Sequence, residues 1–231
     1  MRKGLLTVLS VGFGCMFLLL FGISIACQCL SVPKLLQQSN GNVSQSYPVA
    51  VEGTPLLVRQ MVCYEGPFWE DGTAASVERV AALLVENTGG EFVSRGAIVL
   101  QWEEQTLVFE LYVLPPGEKV LVLEKDRQNL PETQPEMCYG WSQGEYPEYV
   151  PWIGIEEGGG TTMVVENRSS DRIPLVQICY KTRNQSSGIF LGGIAYTVEV
   201  RNLRPGERRL LTPFHYVCEN SEVVRVQTDY D

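Results

Sequence analysis

Histidine occurs once in this chain, as His215 in the run Pro213-Phe214-His215-Tyr216, with Cys218 three residues on. A thiolate made reactive by a neighbouring imidazole is the chemistry such a pair would supply. His215 lies between aromatic residues near a strand end, and in an exported compartment Cys218 is expected to be oxidised or buried. The plainer reading is a structural histidine, so no catalytic residue is assigned and the chain reads as a non-enzyme. Gly158-Gly159-Gly160 follows Glu156-Glu157 and lacks the lysine of a phosphate-binding loop, which makes it a turn. The pairs Glu103-Glu104 and Glu156-Glu157 lack the Asp-rich spacing of a calcium loop. Cys63, Cys138, Cys179 and Cys218 show no C-x2-C spacing for zinc. Neither a metal nor a cofactor is implied.

Two stretches carry residues suited to recognition. From Tyr139 to Trp152, five aromatics (Tyr139, Trp141, Tyr146, Tyr149, Trp152) are interleaved with Glu145 and Glu148. Tyr and Trp present apolar area with a polar tip, which suits a partner peptide or a glycan. The same rings would equally fill a junction between two domains. From Arg183 to Gly193, a polar arm leads to Ile189-Phe190-Leu191 flanked by glycines. That reads as an apolar tip exposed on a loop, a partner anchor, or as the start of the next strand capping a core.

Charge narrows the partners. The chain holds 18 Lys+Arg against 27 Asp+Glu, a formal −9; without Arg2 and Lys3 the balance over residues 33–231 is −11. No basic stripe is available to neutralise phosphates, which excludes nucleic acid as an expected partner. An unknown protein or cell-wall component remains. The membrane is a partner through the N-terminus. Leu5 to Ala26 is uncharged and spans roughly 33 Å as a helix, enough for a bilayer core. Arg2 and Lys3 should stay cytoplasmic and place the rest outside, in a single-pass protein. Cleavage near Ala26 after Ser24-Ile25 is the competing reading and would make the protein secreted; a lipid on Cys27 is a third, though Ser24 does not fit the motif.

The elements that must position the candidate residues come from an internal repeat. Val85-Glu86-Asn87 to Leu114-Pro115-Pro116-Gly117-Glu118 matches Val165-Glu166-Asn167 to Leu203-Arg204-Pro205-Gly206-Glu207. Aligned on the turn, Leu107, Phe109 and Leu111 fall on Tyr196, Val198 and Val200, and Glu110 on Glu199, as a period of two requires. Pro116-Gly117 has the chemistry of a type II turn. The second copy is nine residues longer between Asn and Leu. Strands are predicted over 56–63, 80–85, 97–102, 106–113 and 119–124, then 162–165, 175–181, 195–202, 208–214 and 222–227.

These patterns predict an all-β protein: a membrane anchor (1–32), a flexible tether (33–48), and two tandem antiparallel β-sandwiches of immunoglobulin-like build at 49–130 and 136–231. The polar, proline-bearing stretch 127–136 is the expected boundary. Of three possible disulfide connectivities, Cys63–Cys138 with Cys179–Cys218 keeps each bridge near one repeat. Sequons occur at Asn42, Asn167 and Asn184. Neither copy has the Cys…Trp…Cys spacing of antibody domains. The set Val-Glu-Asn-Thr-Gly, the strand bearing Phe109, Leu-Pro-Pro-Gly-Glu and Val120–Lys125 resembles uncharacterised, membrane-anchored, Ig-like surface proteins of Gram-positive bacteria. That resemblance covers 80–126 and, with one insertion, 162–212, and it implies a fold and no activity. The expected function is extracytoplasmic binding or scaffolding. The alternative is a spacer subunit of an envelope assembly, with an exported hydrolase a distant third.

Overall fold

The computed structural model describes residues 47–67, 76–146, 150–184 and 187–229. The expected anchor, residues 33–46 of the tether and Tyr149 lie outside these. Among the described residues no helix is long and apolar enough to cross a membrane.

Among the described residues thirteen strands are formed: β1 (Val49–Ala50), β2 (Leu56–Pro67), β3 (Ser76–Asn87), β4 (Phe92–Gln101), β5 (Thr106–Leu114), β6 (Lys119–Leu123), β7 (Met137–Glu145), β8 (Ile153–Gly159), β9 (Thr162–Asn167), β10 (Ile173–Asn184), β11 (Ile189–Leu203), β12 (Arg208–Leu211) and β13 (Ser221–Asp229). The repeat is visible in their pairing. β2-β3-β6 and β5-β4-β7 enclose the first core; β8-β9-β12 and β11-β10-β13 enclose the second. Each repeat thus buries its apolar row between two sheets, with Leu107, Phe109 and Leu111 in one core and Val200 in the other.

The Asn of each copy explains why the motif recurs. Asn87 is buried; its amide donates to Glu91 O (2.8 Å) and Leu114 O (3.0 Å), and its Oδ1 accepts from Gly89 N. Asn167 repeats this with Asp171 O (2.8 Å), Leu203 O (3.0 Å) and Ser169 N. In both copies the Asn carbonyl also accepts from the turn glycine, Gly117 or Gly206. Those glycines have φ of 74° and 68°, and Glu118 and Glu207 close the turns onto Pro115 and Arg204, as the type II turn needs. One side chain therefore ties a strand end, a loop and a turn together. In the folded chain the Asn167 nitrogen is not accessible for modification, because it is buried and already donates twice.

The expected boundary at 127–136 is wrong. β7, placed by the sequence in the second domain, pairs with β4 from Phe92↔Glu145 to Gln101↔Met137. Residues 127–136 are a connection inside the first sandwich, crossing from one sheet to the other. Polar composition and prolines suit such a crossover as well as they suit a linker.

The nine-residue insertion is also placed differently. It lengthens a hairpin: β10 has 12 residues against 10 in β4, β11 has 15 against 9 in β5, and one more falls in the preceding turn. The extension lies alongside the first sandwich, where Phe190 and Leu191 pair in parallel with Val120 and Leu121 of β6. This joins the two sandwiches through one seven-stranded sheet, β1-β2-β3-β6-β11-β10-β13. Phe190 is fully buried in the first core, and Arg183 stacks on its ring at 4.1 Å while reaching Glu118 at 3.1 Å. Residues 192–195 bulge out opposite Lys181, with Gly192 at φ 86°. The buried Lys181 ammonium donates to Gly193 O (3.3 Å), Ile194 O (2.7 Å) and, across the junction, Tyr112 O (2.9 Å).

Candidate partner-binding surface

β7 is the outer strand of the β5-β4-β7 sheet, and among the described residues its backbone ladder runs to β4 alone. Its inward positions are small: Cys138, Gly140 and Ser142. A Cβ on Gly140 would lie 2.3 Å from Ala97 O and 3.0 Å from Val51 Cγ1, so glycine is required for β4 and β7 to approach. Its outward positions are large, with Met137, Tyr139 and Trp141 at 51%, 47% and 47% exposure. Strand alternation puts all three on one face.

Register completes that face. Trp141 stands opposite Ala97, Tyr139 opposite Val99 and Met137 opposite Gln101. Further across, Ala97 faces Glu110, Val99 faces Val108, and Arg95 faces Tyr112. The Arg95 guanidinium lies 5.4 Å from the Tyr112 ring centroid and 5.7 Å from that of Trp141, bridging two aromatics. Glu110 accepts from Lys125 Nζ (2.9 Å) and from the Tyr112 hydroxyl (3.2 Å). The lysine bond is the main reason its carboxyl is held below the usual range, with the Lys125 charge and Tyr112 adding to it against some desolvation. The result is an apolar, aromatic strip bordered by one cation and one neutralised acid. Such a surface can stack against a flat apolar or sugar face and hydrogen-bond at its rim.

Of the aromatic segment, Tyr139 and Trp141 are brought together. Tyr146 lies beyond the strand, 75% exposed, with its phenol raised above its ordinary value chiefly by the hydrogen bond to Glu91. Trp152 packs against the second core instead. Ile189 and Leu191 are half-buried and Phe190 is interior; of the two readings the sequence allowed for them, an exposed tip or the start of a strand capping a core, they take the second as the beginning of β11. Sequence reasoning missed Arg95, Tyr112 and Met137; the period-2 pattern through 137–143 was the available signal for Met137, whereas Arg95 and Tyr112 join the strip by register alone.

The other candidates do not assemble. His215 packs on Tyr196 (5.2 Å) and Phe214 (3.7 Å between centroids), whereas the Cys218 thiol donates to Thr162 O (3.3 Å). Among the described residues no group of three or more His, Cys, Asp or Glu is placed to hold a metal ion. The expected disulfides are absent: Cys63, Cys138, Cys179 and Cys218 are all free. Cys179 faces Thr197 and Arg225 on one side of β10, while Cys218 packs against the second core on the other, so the sheet separates them. Cys63 is exposed, and Cys138 packs beneath β7 against the first core.

No family model, no curated protein and no solved structure matches the chain. Fold and surface define its class: an all-β protein of two joined sandwiches with an exposed aromatic sheet face.

Proposed function

We propose that this is a membrane-anchored, extracytoplasmic binding and scaffolding protein that recognises a surface protein or cell-envelope component through the outward face of β4, β5 and β7. The observation that carries this is the row Met137, Tyr139 and Trp141, with Arg95 between Trp141 and Tyr112. Folded chains seldom leave contiguous aromatic area exposed without a use for it. The Leu5–Ala26 run supports the anchor. Strand order supports an immunoglobulin-like build: β2-β3-β6 over β5-β4-β7 follows the A-B-E and C′-C-F strands of that fold without its last strand, in keeping with the resemblance to Ig-like surface proteins of Gram-positive bacteria.

The test is binding of the full-length chain, in detergent, to purified cell wall and to solubilised envelope proteins. Trp141→Ala and Arg95→Ala should each weaken retention at least about tenfold, a hot-spot loss of roughly 1.4 kcal/mol or more. Retention unchanged in both variants overturns the reading. A spacer in an envelope assembly is the second reading, favoured by the junction at which Phe190 and Lys181 are buried and Arg183 is half-buried, which suits a rigid connection. Release from the anchor discriminates the two: a binder keeps its ligand and a spacer loses its contacts.

A further inference from the structure

Sheet edges are where a folded chain pairs with another, and proteins normally protect them with charge, proline or short length. The edges here are protected unequally. β1 has two residues. β8 carries Glu156 and Glu157, β12 carries Arg208 and Arg209, and β13 carries Glu222 and Arg225. β5, the other edge of the β5-β4-β7 sheet, is already taken up: Lys125 N donates to Val108 O, Val108 N donates to Glu124 Oε1, and Lys181 Nζ donates to Tyr112 O. β7 is nine residues long and holds no Lys, Arg or Pro. Its one charge, Glu145, sits at the far end and is taken up by Arg225 (2.7 Å) and Gln227 (3.1 Å) of the same chain. Met137, Tyr139 and Trp141 line this edge.

We propose that β7 is a self-association strand: a second copy of this chain adds its own β7 antiparallel to it about a two-fold axis, merging two three-stranded sheets into one of six. This deepens the proposed function by naming a partner for the same surface, and it rests on that surface being a contact face. Charge identifies the occupant. The chain is −9 overall, so two copies repel over most of their surface. From Met137 to Gly144 there is no charge, and here two acidic molecules can meet without opposing like charges. The two-fold register that centres on Gly140 sets Trp141 against the partner's Tyr139 and leaves Glu145 outside the pairing. Cross-strand aromatic pairs then form twice on the outward face. The inward residues that meet (Cys138, Gly140, Ser142) are small, so the cores below do not collide. Edge-to-edge addition is already used within the chain, where β6 takes β11.

The experiment is sedimentation of the full-length chain in detergent across a concentration series, with Tyr139→Lys, Trp141→Glu and an equimolar mixture of the two. A dimer is expected for the parent chain. Each single variant should associate at least tenfold more weakly, and the mixture should recover because lysine then faces glutamate. Thr106→Lys, on the exposed end of β5, should dimerise like the parent. Should either variant lose the native near-ultraviolet spectrum, Gln143→Lys on the same strand takes its place. A parent chain that stays monomeric overturns the proposal, and so does a variant that dimerises undiminished or a mixture no tighter than its components. Envelope binding by a monomeric chain would sink this inference alone; dimers with no envelope ligand would sink the proposed function alone.

Discussion

Phe190→Ala should damage a sandwich to which Phe190 does not belong in sequence. The ring is fully buried among Val120, Val122 and their neighbours. Truncating a buried Phe to Ala costs about 3–5 kcal/mol through lost transfer energy and the cavity left behind. The Arg183 guanidinium over the ring, worth about 0.5–2 kcal/mol when desolvated, overlaps with that figure and does not simply add. Against a typical domain stability of about 5–15 kcal/mol, the loss is large. The assay is guanidinium unfolding combined with native-state hydrogen exchange. Protection should fall first at Val120, Leu121 and Leu83, residues of the first repeat, although the substitution lies in the second. Phe190→Leu should cost markedly less, because it keeps most of the volume. A loss below about 1 kcal/mol, or one confined to β8, β9 and β12, would refute the placement of this ring.

Asn87→Ala and Asn167→Ala should be matched in effect, each costing about 2–4 kcal/mol by denaturant melt, since each strands two carbonyls in a buried site; a large difference between them would break the equivalence of the two latches. In native protein a maleimide should label the exposed Cys63 before the buried Cys179, and intact mass should show no Cys179–Cys218 bridge; recovery of that bridge by peptide mapping would contradict the sheet between them. Tyr47 and Tyr180 are both pushed up to about 12, mainly by burial, Tyr47 with a smaller push from Cys138 and Tyr180 from Tyr196. A raised folded-state pKa gives stability that is complete below the unfolded value of about 10 and lost as pH climbs toward 12. Unfolding midpoints should therefore drop over that window, with Tyr180→Phe, which cannot ionise, dropping less; equal slopes for the two proteins would be the contrary result.

The sequence by itself determined what depends on near neighbours. Alternation in Thr106–Leu114 and the 195–202 segment located strands and their buried faces, because side chains two apart in a strand share a side. Pro116-Gly117 and Pro205-Gly206 located turns, because a fixed φ followed by a permitted positive φ bends a chain anywhere. The repeat was legible for the same reason, whereas Tyr139 and Trp141 could be read as surface or as junction aromatics. β7 and β8 were missed as strands because Gly140, Gly144, Gly154 and Gly158 dilute the usual strand composition. Only the tertiary structure decided the rest. Whether 127–136 linked two domains or crossed within one turned on β7 pairing with β4. Whether Ile189-Phe190-Leu191 was an exposed tip turned on β6 offering a free edge 70 residues away. Cys179 and Cys218 look like a pair in sequence and are parted by a sheet. Arg95 and Tyr112 meet Trp141 only through register. An apolar side chain states that it will be buried; which core receives it depends on which distant backbone is left unpaired, and no local pattern records that.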